Sequence, residues 1–351
     1  MSTRGIGYTY LITGGAGFIG SNFVHYVLAT YPECRVINLD KLTYAGNLDN
    51  LRDLATERRH EFVHGDIADA ELVNKLFAQG IDVVVNFAAE THVDRSLGDS
   101  TEFLRTNIHG SYVLLEAART HGIKKFIQIS TDEVYGSIEP GRSSRETDEL
   151  RPRNPYAATK AGADRLAYSF FASYSLPVCI TRASNNYGPY QYPEKLIPLF
   201  VTNLLEDKPV PIYGDGRNVR DWLHVQDHCR AIDVVIARGV DGETYNIGGG
   251  NERENIQVVD LIFAYLQKPA SLKQYVKDRE GHDRRYSLCS DKIKQLGWAP
   301  QVPFEEGLRA TIDWYVQNRW WWEKLKSGAY WEYYRKQYVE RESRTRRAQK
   351  R

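Results

Sequence analysis

The fold is decided by residues 8–20, which read YTYLITGGAGFIG. A short apolar run rich in β-forming residues, Tyr8–Thr13, leads directly into Gly14, Gly17 and Gly20, and helical spacing begins at Gly17. Glycines at this spacing permit a tight turn, close approach of backbone N–H groups to a pyrophosphate, and close packing of the helix on the strand. The helix N-terminus adds a partial positive charge. The stretch therefore predicts a strand–turn–helix unit that binds a dinucleotide.

The first half of the chain continues to alternate between strand and helix patterns. Residues 82–89, DVVVNFAA, are apolar on both faces, which is typical of a strand buried in a parallel sheet. Repetition of strand, helix and strand predicts an α/β fold with a doubly wound, Rossmann-type parallel sheet, whose ligands bind beyond the carboxyl ends of the strands. The predicted strands are 8–13, 35–40, 61–64, 82–89, 124–130 and 178–182, and the predicted helices are 17–30, 69–79, 99–120 and 156–173.

The second half is less regular, with helices predicted at 196–206 and 257–266 and a strand at 244–247. We expect residues 1–185 to form the dinucleotide-binding domain with the catalytic groups, and residues 186–340 to form a smaller, interleaved α/β lobe that binds the substrate. The basic stretch 341–351 is expected to be a disordered tail. Seven aromatic residues are expected to pack over the smaller lobe: Trp314, Tyr315, Trp320, Trp321, Trp322, Trp331 and Tyr334.

Composition excludes several classes of protein. The formal net charge of the 351 residues is +1, so no global field favours nucleic acid or a membrane surface. No run approaches the roughly 20 apolar residues that a membrane-spanning helix needs, and the N-terminus resembles no signal peptide. The four cysteines are widely spaced, which argues against a disulfide framework or a thiolate metal site. We expect a cytoplasmic protein.

An acidic residue at the end of the second strand selects the cofactor. Asp40 lies about 20 residues after Gly20, where its carboxylate can accept hydrogen bonds from ribose hydroxyls and repel a 2′-phosphate, so NAD is predicted rather than NADP. Neighbouring strand ends and the following helices supply further contacts. The predicted cofactor-binding residues are Gly14, Gly17, Phe18, Ile19, Gly20, Asp40, Lys41, Thr43, Asp66, Ile67, Phe87, Ala88, Ala89, Thr106, Tyr156, Lys160 and Asn186.

Tyr156 and Lys160 form a YxxxK pair that shares one face of a predicted helix. An ammonium group near a phenol favours the phenolate, and such a phenol can take a proton from an alcohol while hydride leaves the same carbon for nicotinamide. Two roles stay open for Asn107, which lies on the preceding predicted helix: a contact with the cofactor and a role in packing. Pro155 suits the first turn of the helix that carries the pair.

The fifth predicted strand ends in Ser130–Gly136, STDEVYG. With the glycine-rich turn and YxxxK, this segment resembles the extended short-chain dehydrogenase/reductase family, and most closely its nucleotide-sugar dehydratases. The resemblance runs from about residue 8 to residue 298. Its further motifs are AAETHVDRS (88–96), RASNNYGPYQYPEKLIP (182–198), GDGRNVRDWLHVQDH (214–228) and DREGHDRRY (278–286).

The resemblance implies that a hexose linked to dTDP loses water after transient oxidation at C4. It implies that Thr131 donates to the reacting oxygen, that Glu133 removes the C5 proton and that Asp132 protonates the departing C6 hydroxyl, although spacing alone would permit the reverse assignment of the two acids. Glu280 replaces a proline of the family motif, which predicts a more flexible loop. The implied substrate-binding residues are Thr91, Thr131, Asn185, Lys195, Leu196, Arg220, Asn255, Arg279, His282 and Tyr286.

The resemblance also implies a homodimer built from the predicted helices 99–120 and 156–173. The apolar residues expected at that contact are Leu104, Ile108, Tyr112, Leu115, Leu166, Ala167, Phe170 and Phe171.

Several alternatives stay open. A nucleotide-sugar 4-epimerase or decarboxylase shares the oxidation at C4 but does not need the acid pair, a UDP-sugar 4,6-dehydratase differs only in the base, and a non-catalytic NAD-binding regulator does not need Thr131, Tyr156 and Lys160 together. His224 and His228 have the spacing of two metal ligands. No metal site is predicted, because NAD supplies the oxidising power.

Overall fold

The computed structural model describes residues 7–279 and 281–340. Its strands are β1 (Thr9–Thr13), β2 (Arg35–Asp40), β3 (His60–His64), β4 (Val83–Asn86), β5 (Lys125–Thr131), β6 (Val178–Ala183), β7 (Asn185–Tyr187), β8 (Val210–Tyr213), β9 (Val219–His224), β10 (Thr244–Ile247), β11 (Glu252–Glu254) and β12 (Lys273–Val276). Its helices are α1 (Phe18–Thr30), α2 (Ala70–Phe77), α3 (Val93–Gly98), α4 (Thr101–Phe103), α5 (Ser111–His121), α6 (Pro155–Tyr174), α7 (Leu196–Leu205), α8 (Val225–Arg238), α9 (Asn255–Tyr265), α10 (Asp291–Gln295), α11 (Phe304–Gln317), α12 (Arg319–Trp322) and α13 (Gly328–Tyr334). Short 3-10 segments span Leu48–Leu54, Asp132–Tyr135 and Ala270–Leu272, and π-helical segments span Leu104–Gly110 and Arg335–Glu340.

Seven parallel strands form the main sheet in the order β10-β6-β5-β4-β1-β2-β3. Tyr10 and Ile12 of β1 join a buried cluster with α1 and α8, whereas Leu11 joins a second cluster with α2, α5 and α6. Both faces of the sheet are therefore covered, as a parallel sheet requires. The predicted doubly wound α/β fold is confirmed. The strand order reverses between β1 and β4, which is where such sheets bind ligands.

The prediction of one long helix over residues 99–120 is wrong, because these residues form several elements. Asp99 and Ser100 precede α4, and residues 104–110 form a π-helical segment before α5 begins. Asn107 lies in that segment and is almost fully buried, with its amide bonded to the backbone of Glu90. These tertiary hydrogen bonds accompany the departure from regular α-helix, and apolar periodicity does not reveal them.

The smaller lobe contains a three-stranded sheet, β11-β9-β7, and a parallel pair, β12-β8. Helices α7, α9 and α11 surround a third buried cluster that includes Phe200, Ile262 and Phe304. Of the seven C-terminal aromatic residues, six join or pack against this cluster as predicted, but Trp320 is 45% exposed. Residues 225–247 return to the main sheet as α8 and β10, so the two halves are interleaved.

Three of the residues that were predicted to form the dimer contact face the interior of the protein instead. Leu115, Ala167 and Phe170 are buried in the cluster beneath α5 and α6, because these positions face the sheet. Leu104 and Tyr112 are exposed, together with Tyr168 and Tyr174, which the sequence interpretation did not select.

Two other expectations fall outside the described residues: the effect of Glu280 and the state of the basic stretch 341–351. Within residues 7–279 and 281–340, no helix has the length and apolarity needed to cross a bilayer.

Candidate active site

Two cavities of about 300 Å³ and 180 Å³ lie beyond the carboxyl ends of the parallel strands. They share lining residues, including Thr91, Glu133, Asn185 and Lys195, and so form one continuous cleft. All of the residues predicted to bind the cofactor line the larger cavity, as do Thr131, Asp132 and Glu133. The remaining residues implied for the substrate line the smaller one: Leu196, Arg220, Asn255, Arg279, His282 and Tyr286.

The glycine loop has no room for side chains at two positions. Gly14 has φ +68°, and an added Cβ would lie 2.7 Å from the amide nitrogen of Ala88, which follows β4. An added Cβ at Gly20 would collide with the carbonyl oxygen of Gly14. The turn thus brings the backbone after β1, the strand end of β4 and the start of α1 close together, as a pyrophosphate site requires.

Asp40 holds the same loop from the end of β2. One carboxylate oxygen accepts from the backbone N–H of Ala16 at 2.9 Å, and the other accepts from that of Leu42 at 2.7 Å. Burial raises the pKa of Asp40, and the two N–H groups oppose that rise. Nearby, Lys41 is paired with Asp66 at 3.0 Å, so its charge is partly neutralised at the edge of the cavity.

Helix α6 presents Tyr156 and Lys160 to the cavity. Asn154 caps the helix by accepting from the backbone N–H of Ala157 at 2.8 Å, and Pro155 occupies the first turn, so the start of the helix is fixed immediately before Tyr156. Lys160 donates to the carbonyl oxygen of Ile129, on β5, at 2.5 Å. Burial lowers the pKa of Lys160 to about 8, and Asp164 opposes this shift.

The pKa of Tyr156 is raised rather than lowered. Burial is the largest cause, and the Glu133 carboxylate is the next; a hydrogen bond with Thr131 acts in the opposite direction. Lys160 alone was predicted to favour the phenolate. The desolvation of the phenol and the neighbouring acid oppose ionisation of Tyr156 more strongly.

Asp132 and Glu133 occupy different environments although they are adjacent in sequence. Burial and then the neighbouring Glu133 raise the pKa of Asp132 well above its usual range. Burial also raises the pKa of Glu133, but the cations Arg220, Lys195 and Arg279 restrain that rise, as does a hydrogen bond from Asn154. Cations and an amide thus surround Glu133, whereas the acid of Glu133 is the charged neighbour that most affects Asp132.

The hydroxyl of Thr131 connects the two acids. It donates to Asp132 at 3.1 Å and accepts from the backbone N–H of Glu133 at 3.3 Å. The side-chain amide of Asn154 donates to the Glu133 carboxylate at 3.3 Å. The acids are therefore held by β5 on one side and by the cap of α6 on the other.

The smaller cavity collects cationic and amide groups. Arg220 is almost buried; its guanidinium donates to the carbonyl oxygens of Val219 and Asp283 and lies 4.2 Å from the centre of the Tyr286 ring. Lys195 immediately precedes α7, and burial lowers its pKa. His282 is neutral near pH 7, because burial and the neighbouring Arg279 and Arg220 lower its pKa to about 4.

Several buried polar atoms lining the cleft lack a hydrogen-bond partner among the described residues. They include Asp132 Oδ2, Asn185 Oδ1 and Asn255 Oδ1. Because buried polar groups are almost always paired in folded proteins, these atoms mark positions at which a ligand or water completes the site.

Sequence reasoning missed Glu194, and it gave His228 only a metal or packing role. The Glu194 side chain is 2% exposed and lines both cavities, and its carboxylate lies 3.5 Å from the Arg95 guanidinium. His228 is fully buried and contacts the Asn186 side chain at 3.0 Å, so it positions a residue expected beside the cofactor. Their neighbours in space are distant in sequence, so the motifs that contain them, 182–198 and 214–228, indicated the segments but not these contacts. No cluster of three potential metal ligands occurs in the described ranges.

The fold and cleft together define a dinucleotide-dependent α/β enzyme with a tyrosine–lysine pair, of the Rossmann type. The family model for GDP-mannose 4,6 dehydratase matches residues 11–311. With that match and relatives that are about half identical, the chain belongs to this nucleotide-sugar dehydratase family.

Three of the similar proteins illustrate the range of the family. The dTDP-glucose 4,6-dehydratase of Streptomyces niveus is 52% identical over 322 residues, which cover 90% of this chain and 95% of the relative. The structure of dTDP-glucose 4,6-dehydratase from Streptomyces venezuelae, solved with NAD bound, is 51% identical with a TM-score of 0.88 and covers 91% of this chain and 100% of that one. The UDP-glucose 4-epimerase of Thermus thermophilus, also solved with NAD, is 31% identical with a TM-score of 0.82 and covers 88% and 99% of the two chains.

Proposed function

We propose that this protein is an NAD-dependent hydro-lyase that converts dTDP-glucose into dTDP-4-keto-6-deoxyglucose and water. The observation that carries the proposal is the acid pair Asp132 and Glu133, which line the cavity that also contains Tyr156 and are held separately by hydrogen bonds with Thr131 and Asn154. An epimerase needs the tyrosine but has no step that requires two acids. The relatives named dTDP-glucose 4,6-dehydratase, at about 50% identity, support the same assignment.

The larger cavity fits NAD. The glycine loop and the N-terminus of α1 would hold the pyrophosphate, Asp40 would face the adenosine ribose, and Asn186 with Lys160 would lie by the nicotinamide. The close approach of Gly14 to the backbone after β4 supports this placement, because a side chain there would fill the turn. When bound, NAD supplies the redox chemistry by taking hydride from C4 of the hexose and returning it to C6.

Tyr156 acts as the base for the 4-hydroxyl. Because its pKa is raised, the neighbouring cations are important: positive charge near the phenol favours the ionised form. The buried ammonium of Lys160, one turn along α6, is the cation that the chain itself provides. Thr131 is placed to donate to the same sugar oxygen.

The acid pair then performs the elimination. The 4-ketone acidifies the C5 proton, and Glu133 removes it. Asp132, whose pKa is raised by burial and by Glu133, gives a proton to the C6 hydroxyl, so the C6–O bond breaks and water leaves. Reprotonation of C5 by Glu133 accompanies reduction at C6. Tyr156 ends with the proton of the 4-hydroxyl and Asp132 without one, and proton exchange with solvent restores both groups. The sum is loss of one water with no net change in the cofactor.

The smaller cavity would hold the nucleoside diphosphate. Arg220, Arg279 and Lys195 provide cationic groups for the two phosphates, and the planar guanidinium groups suit paired hydrogen bonds. We also propose a homodimer, and a cytoplasmic location on the basis of four free cysteines, of which Cys34, Cys179 and Cys229 are buried.

The proposal is tested by incubating the protein with NAD and a panel of dTDP- and UDP-hexoses. We expect the alkali-induced absorbance of a 4-keto sugar from dTDP-glucose, with no net NADH, and the highest kcat/KM for that substrate. A preference for UDP-glucose would reassign the base, and a galactose-configured product would indicate an epimerase. Absence of turnover with every sugar would favour the non-catalytic NAD-binding regulator.

A further inference from the structure

One indole from the C-terminal region reaches the cofactor side of the molecule. Trp321, in α12, is 1% exposed, and its Nε1 donates to the side-chain oxygen of Asn50 at 2.8 Å. Asn50 is also 1% exposed and lies in the 3-10 segment Leu48–Leu54, which follows the cofactor-lining residues after β2. This hydrogen bond therefore connects α12 to the loop beside the larger cavity.

Asn50 also forms a hydrogen bond with the glycine loop. Its side-chain amide donates to the carbonyl oxygen of Ala16 at 2.8 Å, and the backbone N–H of Asn47 donates to the same oxygen at 2.9 Å. The backbone N–H of Ala16 is bonded to Asp40. Ala16 lies between Gly14 and Gly17, so the N–H and the carbonyl oxygen of one residue within the predicted pyrophosphate turn are both fixed by side chains.

The indole is itself held rigidly. Its ring lies 5.0 Å from that of Trp314 and 6.0 Å from that of Tyr190, measured between centroids. Tyr190 is in the segment that leads to Glu194 and Lys195, and the Lys324–Asp49 ion pair forms a second link between the C-terminal region and the cofactor loop. Trp321 is thus a fixed donor in a packed aromatic cluster rather than a mobile surface group.

We propose that Trp321 is a positioning residue for dinucleotide binding, acting through Asn50 on the Ala16 carbonyl of the glycine loop. This inference rests on the proposed use of NAD. Loss of the indole N–H leaves the buried oxygen of Asn50 without a partner and frees the amide to reorient. The loop then has to be ordered by the cofactor itself, and the cost of that ordering weakens binding.

Trp321→Phe tests the proposal, and Trp322→Phe is a matched control. Trp322 is also fully buried, and its Nε1 donates at the same distance, 2.8 Å, but to the carbonyl oxygen of Tyr315 in α11 rather than to the cofactor loop. Both variants lose one indole donor and leave a similar void, so their effects on stability should be alike.

We expect titration calorimetry with NAD to show roughly five- to tenfold weaker binding for Trp321→Phe, the loss typical of one or slightly more than one hydrogen bond. Trp322→Phe should bind NAD within about twofold of the unmodified protein. Equal affinity in all three proteins, or equal weakening in both variants, would overturn the proposal. Failure of the unmodified protein to bind NAD would instead reject the proposed function.

A double-mutant cycle with Asn50→Ala separates this chain of contacts from general destabilisation. We expect Asn50→Ala to weaken NAD binding and Trp321→Phe to add less than about twofold in that background, because its acceptor is already missing. Fully additive losses would mean that the two residues act independently. If Trp321→Phe does not fold, a change in NAD affinity in Asn50→Ala with no change in dTDP affinity supports the proposal, and unchanged NAD affinity overturns it.

Discussion

At the scale of single residues, two neighbouring acids of the cleft have different surroundings. Asp132 has one side-chain oxygen bonded to Thr131 and another buried without a partner within the described residues, whereas Glu133 is bonded by Asn154 and faces Arg220. The sequence placed both acids after β5 but left their roles interchangeable. Their surroundings come from β9, α6 and the segment before α7, and these contacts between distant segments cannot be read from the local sequence.

Glu133→Gln should therefore stop the reaction after the first oxidation. Glutamine keeps the size and the hydrogen bond with Asn154 but cannot accept the C5 proton. We expect kcat to fall by roughly 10²–10⁴-fold, with substrate affinity nearly unchanged. Rapid mixing with dTDP-glucose should show NADH absorbance that forms and persists. Normal turnover would remove Glu133 from the base role.

Tyr156→Phe should fail one step earlier. The phenol is the group placed to accept the 4-hydroxyl proton, so its loss should prevent NADH formation in the same rapid-mixing experiment, with a comparable fall in kcat. Because the two variants differ in whether NADH accumulates, each is a control for the other. Rapid NADH formation in Tyr156→Phe would show that another group takes the proton.

Lys160 should make stability depend on pH in a defined direction. Its pKa is about 8 in the folded protein and about 10.5 when unfolded, so between these values the unfolded chain binds more protons and the free energy of unfolding rises with pH. At pH 7 the buried charge should cost about 3 kcal/mol. Lys160→Met removes this cost, so the variant should be more stable at pH 7, with the difference shrinking above pH 8. A pH-independent difference in urea unfolding would contradict the assignment.

At the scale of elements, the π-helical segment before α5 connects the segment after β4 to α6, the helix that carries Tyr156. Asn107 accepts from the backbone N–H of Glu90 at 2.9 Å and donates to the Thr159 hydroxyl at 2.9 Å, and that hydroxyl donates to the carbonyl oxygen of Tyr156. π-Helical turns often occur at functional sites. Here the turn places one amide between the segment after β4 and the start of α6.

Asn107→Ala should consequently lower both stability and activity. Leaving the buried groups of Glu90 without partners should cost about 1–3 kcal/mol in urea unfolding, and the loosened start of α6 should reduce kcat more than it changes KM. Asn74→Ala in α2 provides a control, because that exposed amide donates to the backbone of Ala70 and should contribute less than about 0.5 kcal/mol. Equal losses in the two variants would exclude a special role for the π segment.

The sequence predicted best those elements whose apolar side chains are buried in the core. Strands β1, β2, β4 and β5 are rich in buried apolar residues, and α1 begins at the glycine turn. Strand β9 was not predicted, because VRDWLH places Arg220 and Asp221 in buried positions. Such polar residues are buried because they line or support a ligand site, so the local pattern departs from that of an ordinary strand. The motifs nevertheless identified most residues of the cleft.

At the scale of the whole molecule, four large apolar side chains are exposed on neighbouring elements. Leu104, Tyr112, Tyr168 and Tyr174 are between 43% and 55% exposed on the π segment, α5 and α6, and ring contacts through Phe170 join Tyr112 to Tyr174. An exposed patch of this kind typically marks an interface. Helices α5 and α6 pack against each other, so a second copy placing the same pair against them would form a four-helix contact.

We therefore expect a dimer in solution whose contact includes these aromatic residues. Light scattering at micromolar concentration should give twice the chain mass, and Leu104→Glu combined with Tyr112→Glu should give the mass of one chain, because two pairs of carboxylates would be buried against apolar rings. Val316→Glu is a suitable control, since Val316 lies on α11 in the smaller lobe with a similar exposure of 42% and should leave the dimer intact. Tyr156 is carried on α6, whose outer face would form the contact, so the monomeric variant should also lose part of its kcat. A single-chain mass for the unmodified protein, or a dimer that survives both glutamates, would show that this surface serves another purpose.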